Sequence, residues 1–175
     1  LDTAVARLSY RIDDVRYTRE VFVSHPAQAL VVRVSADAPE KITVSTWIDR
    51  PQDAATQIAS NDRLNLVGGL GGGKGMAFLA SVKVVAEGGK IEAYPERIST
   101  ERANAVTIVV AAATNYRGRD HRAAVEQALS AAAATPYQQL KDDHITDHQK
   151  FFRRVSLSLG ASHPDFLAAL PTDER

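Results

Sequence analysis

Cysteine is absent from the 175 residues, which removes disulfide frameworks, thiolate zinc sites and cysteine nucleophiles at once while leaving the compartment open. Excess charge is missing too. The 21 Lys and Arg are balanced by 21 Asp and Glu, whereas a general nucleic-acid or anionic-membrane binder relies on clustered cations. Neither nucleic acid nor membrane is therefore expected as a partner. No uninterrupted apolar run approaches the roughly 18 to 20 residues that cross a bilayer. The first residues also lack the basic, apolar and small-residue succession of a signal peptide. The chain opens at Leu1 without Met and runs straight into strand-like sequence, so it reads as a segment of something longer. Its length suits one ordinary globular domain.

What is present is period-two patterning from residue 3 to about residue 113, the mark of strands buried on one face. Ala6, Leu8, Tyr10 and Ile12 alternate with Arg7, Ser9 and Arg11, and Asp13-Asp14 supplies a turn. Further strands are predicted at Val15 to Val23, Leu30 to Val34, Lys41 to Ile48, Arg63 to Val67, Met76 to Val85, Lys90 to Tyr94, Arg97 to Glu101 and Ala105 to Thr114. Short strands joined by breakers such as Ser24-His25-Pro26 and Glu87-Gly88-Gly89, with no βαβ alternation, indicate antiparallel sheets packed as a sandwich. After Tyr116 the period changes. Asp120 or a neighbour can cap a helix over Arg122 to Ala134, with Val125, Ala128, Leu129 and Ala132 on one side. Thr135-Pro136 then reads as N-cap and first-turn proline of a second helix with a stripe of Tyr137, Leu140, His144, His148, Phe151 and Val155. Val155 to Leu159 alternates as a last strand, and Ser162 to Asp165 can open a short helical turn. The fold class is mainly β: an antiparallel sandwich over 1–116, two helices and a last strand packed on it over 117–160, and the start of a linker over 161–175.

Few residues invite a chemical reading. Gly68 to Gly75 comes within one residue of the phosphate-binding G-x-x-x-x-G-K-[ST] pattern, but Gly75 stands where a hydroxyl must hold magnesium. A strand follows instead of a helix, so a flexible hairpin loop without side-chain anchors is expected. His144 and His148, one helical turn apart, could share a zinc ion, but a third ligand and a second shell would be needed. Both fall in the apolar stripe, which favours buried neutral imidazoles hydrogen-bonded to sheet groups. No metal or cofactor is expected. Acidic pairs such as Asp13-Asp14 and Asp142-Asp143 are adjacent in sequence, so they suit turns and helix surfaces and not two carboxylates facing each other across a sugar, roughly 5 to 10 Å apart. No G-x-S-x-G elbow or spaced Ser, His and Asp set argues for a triad. Trp47, the one tryptophan, lies with Thr43 and Ser45 opposite the apolar face of its strand. Three readings of it stand: a sugar-stacking platform, an anchor for another domain, or ordinary core.

Four stretches carry a family resemblance. Tyr17 to Ser24 (Y-T-R-E-V-F-V-S), Ala112 to Tyr116, His144 to Phe152 with Arg154 to Gly160, and Leu170 to Arg175 (L-P-T-D-E-R) resemble, in order and spacing, the N-terminal region of bacterial glycoside hydrolase family 95, the inverting α-L-fucosidases. The resemblance implies a galactose-mutarotase-like β-supersandwich at the head of a multidomain enzyme, joined by a helical linker to an (α/α)6 catalytic barrel. That barrel and the enzyme's glycan substrate are the implied partners. The family's general acid and water-activating residues lie in the barrel, so no catalytic residue is expected in this chain, and Trp47 is the one substrate-binding candidate. A periplasmic or secreted location is implied in the same way. The competing expectation is a free-standing carbohydrate-binding or interaction module of sandwich type.

Overall fold

A computed structural model describes residues 1–157 and Leu170. Ten strands precede two helices: β1 (Ala6–Ile12), β2 (Val15–Ser24), β3 (Ala29–Ala36), β4 (Ile42–Trp47), β5 (Ala54–Ser60), β6 (Arg63–Gly69), β7 (Ala77–Glu87), β8 (Lys90–Tyr94), β9 (Arg97–Ala103), β10 (Ala105–Thr114), α1 (His121–Ala134) and α2 (Tyr137–Phe152). The strands form a seven-stranded sheet, in the order β1-β2-β3-β10-β7-β6-β5, and a three-stranded sheet, β4-β9-β8. All pairs are antiparallel. The mainly β architecture with two C-terminal helices is the one the sequence implies.

The large sheet is covered on both faces, which explains why its central strands are apolar at nearly every position. On β10, Val109 and Ala111 join Phe22, Val31 and Leu79 in a cluster with Val125, Leu129, Ala132 and Leu140 of the helices. Val106, one pleat away, joins Leu64 and Val84 in a second cluster with Ile42, Ile98 and Ala103 of the small sheet. The molecule is thus layered as helices, large sheet, small sheet. The chain changes layer at Gly88-Gly89, whose φ values of +74° and +73° suit glycine. A Cβ on Gly89 would lie 2.3 Å from the Glu101 carbonyl oxygen. It returns at Asn104, whose N–H donates to the Glu87 carbonyl at 2.8 Å.

Several expectations need correction. β5 shows no usable alternation because it is an edge strand, exposed at its last four residues. β1 is also an edge, and its alternating Leu8 and Ile12 are each 55% exposed, since the small sheet does not extend over them. Asp120 caps α1 as expected, accepting from the N–H groups of Arg122 and Ala123 at 3.1 and 3.0 Å. Thr135, however, ends α1 instead of starting α2: its hydroxyl donates back to the Ala131 carbonyl at 2.9 Å, and Pro136 occupies the N-cap. The stripe of α2 is buried only at Leu140 and His144. Phe151 is 63% exposed and Val155 83%, because α2 runs past the edge of the sheet and its last turns meet the segment before β1. Val155 to Leu157 are not strand. The remainder of that expected strand, and the helical turn at 162–165, lie outside the described residues.

Candidate functional site

At one end of the sandwich β4 stops, β5 begins and β8 turns into β9, leaving a cleft of about 620 Å³. Trp47 stands at its rim, 66% exposed. The reason is register: Ile42, Val44 and Thr46 turn inward, and Thr43, Ser45 and Trp47 outward. Trp47 pairs with Arg97, and Arg97 on its other side pairs with Tyr94, so the three share the last row of the small sheet's outer face. The Arg97 guanidinium lies 5.1 Å from the centre of the Tyr94 ring, within cation–π range. In the next row stand Ser45, Ser99 and Glu92. The Tyr94 hydroxyl donates to Glu92 at 2.8 Å, and this bond pushes the Tyr94 phenol pKa up. Hydrogen bonds from Lys90 and Tyr94 hold the Glu92 carboxyl below its ordinary value.

Asp49, Arg50, Thr56 and Glu96 also line the cleft. Asp49 and Glu96 are both exposed, whereas a general acid and base work inside a pocket that positions them around the scissile bond. Neither of these two lining carboxyl groups is enclosed in that way. Sequence reasoning placed Trp47 on the outer face but missed its partners. The alternation of β8 and β9 put Tyr94 and Arg97 on outward positions, yet only the pairing register brings them into line with Trp47.

The glycine loop joins β6 to β7 beside this cleft. It is not free of anchors: the N–H groups of Gly71 and Gly72 donate to the Asp53 carboxylate at 3.1 and 3.2 Å, and Gly69 N–H to the Asp53 carbonyl at 3.0 Å. The amides a phosphate would need are satisfied by a side chain of the protein itself. Gly68 is required for another reason, since a Cβ there would lie 2.2 Å from the Phe78 ring.

The histidines lie on the opposite layer. His144 is buried and stacks on Phe22 with ring centres 4.9 Å apart, and His148 stacks on Phe152 at 5.1 Å. Their partners are not sheet groups, as expected, but the segment ahead of β1. Carbonyl oxygens only accept, so Nε2–H of His144 donates to Ala4 (3.2 Å) and Nε2–H of His148 to Leu1 (3.1 Å). Arg153 adds a two-pronged bond to Asp2, at 2.8 and 2.7 Å, and its guanidinium holds the Asp2 carboxyl below its ordinary value. The imidazoles thus fasten the N-terminal segment to α2.

Residues 1–119 match the sequence model of the glycosyl hydrolase family 65 N-terminal domain, and the chain belongs to that family. Two curated relatives are similar over almost all of it. Alpha-L-fucosidase 2 of Arabidopsis thaliana is 26% identical, with 93% of this chain and 23% of that protein covered. Probable alpha-fucosidase A of Aspergillus niger is 28% identical, with 99% and 24% covered. The chain thus spans about a quarter of the length of each. Among solved structures, a putative kojibiose phosphorylase from the human microbiome superposes with a TM-score of 0.62 at 8% identity, over 87% of this chain and 24% of that one. That likeness is one of fold. The fucosidase side of the motif resemblance is carried by the two curated relatives, which come from a plant and a fungus and do not bear on its bacterial side.

Proposed function

We propose that the chain is the non-catalytic N-terminal β-sandwich domain of a multidomain α-L-fucosidase, with its catalytic (α/α)6 domain elsewhere in the same polypeptide. The observation that supports this most is the combination of a family match to an N-terminal glycosyl hydrolase domain with two relatives named as fucosidases, each covering nearly all of this chain with about a quarter of its own length. The exposed carboxyl groups lining the Trp47 cleft fit the same reading, because an accessory domain need not enclose a catalytic pair. Trp47 is proposed as its glycan contact. The test is to express the longer reading frame that contains this sequence and assay release of fucose from 4-nitrophenyl α-L-fucoside. Turnover by that protein is expected, and a longer protein that is folded but inactive on α-L-fucosides would overturn the assignment.

A further inference from the structure

The last row of the small sheet is more than one exposed tryptophan. Trp47, Arg97 and Tyr94 lie side by side on three adjacent strands, at the positions where the pleat directs side chains away from the core. Adjacent strands are about 4.8 Å apart, so the two aromatic residues are roughly 10 Å apart at the backbone, and the Arg97 guanidinium lies over the Tyr94 ring. We propose that this row is a binding platform for a neutral oligosaccharide, which lies across the strands with Trp47 under one sugar ring, the Arg97–Tyr94 pair against the next, and one end entering the adjoining cleft.

The chemistry of the row selects that ligand. A pyranose offers an apolar C–H face and a rim of hydroxyls, and so matches aromatic rings set among hydrogen-bonding groups. Arg97, with its guanidinium over the Tyr94 ring, is a multiple donor. Ser45, Ser99 and Glu92 follow in the next row, with the Tyr94 hydroxyl already bonded to Glu92. In the cleft and the last row, Arg50 and Arg97 are offset by Asp49 and Glu96, so the surface has no net charge with which to select an ionic ligand. The inference rests on the glycosidase reading for the class of ligand alone.

The test exploits Trp47 being the only tryptophan, so that intrinsic indole fluorescence of the 175-residue chain reports on the platform directly. Cellotetraose, maltotetraose and 2′-fucosyllactose are titrated into the wild-type chain and into Tyr94→Ala and Arg97→Ala variants whose circular dichroism matches wild type. At least one oligosaccharide is expected to change the emission saturably in the millimolar range or tighter, with affinity about tenfold weaker in each variant, the effect of losing one stacking or charge-assisted contact. No saturable change with any of the three sugars would overturn the proposal. So would saturable binding that both variants leave intact, because Trp47 would then act outside a row. A longer protein that hydrolyses fucosides while this titration fails would remove the platform and keep the fucosidase assignment; binding here with an inactive longer protein would do the reverse.

Discussion

Threonine at the centre of the small sheet shows how finely the sandwich core is divided between packing and polarity. The Oγ1 atoms of Thr46 and Thr100 are buried between the sheets and have no hydrogen-bond partner among the described residues. Thr100 is fully buried, in the cluster region of Ile42, Leu64 and Ile98. A buried hydroxyl without a partner costs free energy that an isosteric methyl group does not. Thr100→Val is therefore expected to stabilise the fold by about 1 kcal/mol, read as a higher urea midpoint at unchanged slope; a lower midpoint would mean that the hydroxyl is satisfied in solution. At this scale the sequence was partly legible. Trp47 could be placed outward from Thr43 and Ser45 alone, because alternation is a property of one strand. Asp53 as anchor of the glycine loop could not, since its carboxylate reaches Gly71 and Gly72 across 18 and 19 residues of chain.

Elements were legible where an apolar run or an alternation stands out between turn residues, and illegible where neither does. The central strands β7 and β10 were found almost to the residue, and α1 was placed with its Asp120 cap. β5 was missed because Ala54–Ser60, exposed at its last four residues, offers neither an apolar run nor a regular alternation. The α2 stripe was misread for the converse reason: Phe151 keeps the helical spacing but lies beyond the edge of the sheet that would bury it. Leu140→Ala should accordingly cost about 2 to 5 kcal/mol, whereas Phe151→Ala should change stability by no more than about 0.5 kcal/mol; equal shifts in the denaturation midpoint would show that the end of α2 is packed. The same helix is docked by Glu20 of β2, which accepts from the Tyr137 hydroxyl at 2.8 Å and pairs with the Lys141 ammonium at 2.6 Å. Burial pushes the Glu20 carboxyl up, but the bonds from Lys141 and Tyr137 outweigh it and leave its pKa below the ordinary 4.5. The folded-state value is thus the lower one, so the stabilisation is present above about pH 4.5 and is lost as pH falls through the depressed folded-state value. Stability measured from pH 7 to pH 3 should fall less steeply in Glu20→Gln than in wild type, and parallel curves would show that Glu20 does not couple protonation to the docking of α2.

For the whole molecule, the layering of two helices on a large sheet on a small sheet follows from local patterns, but the way the chain crosses between sheets at Gly88-Gly89 and Asn104 depends on pairings far apart in sequence. The same is true of the site. A single outward tryptophan could be read from β4, while a row across three strands exists only once β9 has been inserted between β4 and β8. At this scale the acidic side chains of the cleft are exposed, His144 and His148 fasten the N-terminal segment to α2, and Asp53 closes the glycine loop. The proposal that this domain does not itself hydrolyse fucosides is tested most directly by assaying the purified 175-residue chain for fucose release from 4-nitrophenyl α-L-fucoside, alongside Asp49→Asn and Glu92→Gln variants. No turnover above the uncatalysed rate is expected from any of the three. Turnover by the wild-type chain that disappears in either variant would contradict the account, because the catalytic carboxylate would then belong to this domain.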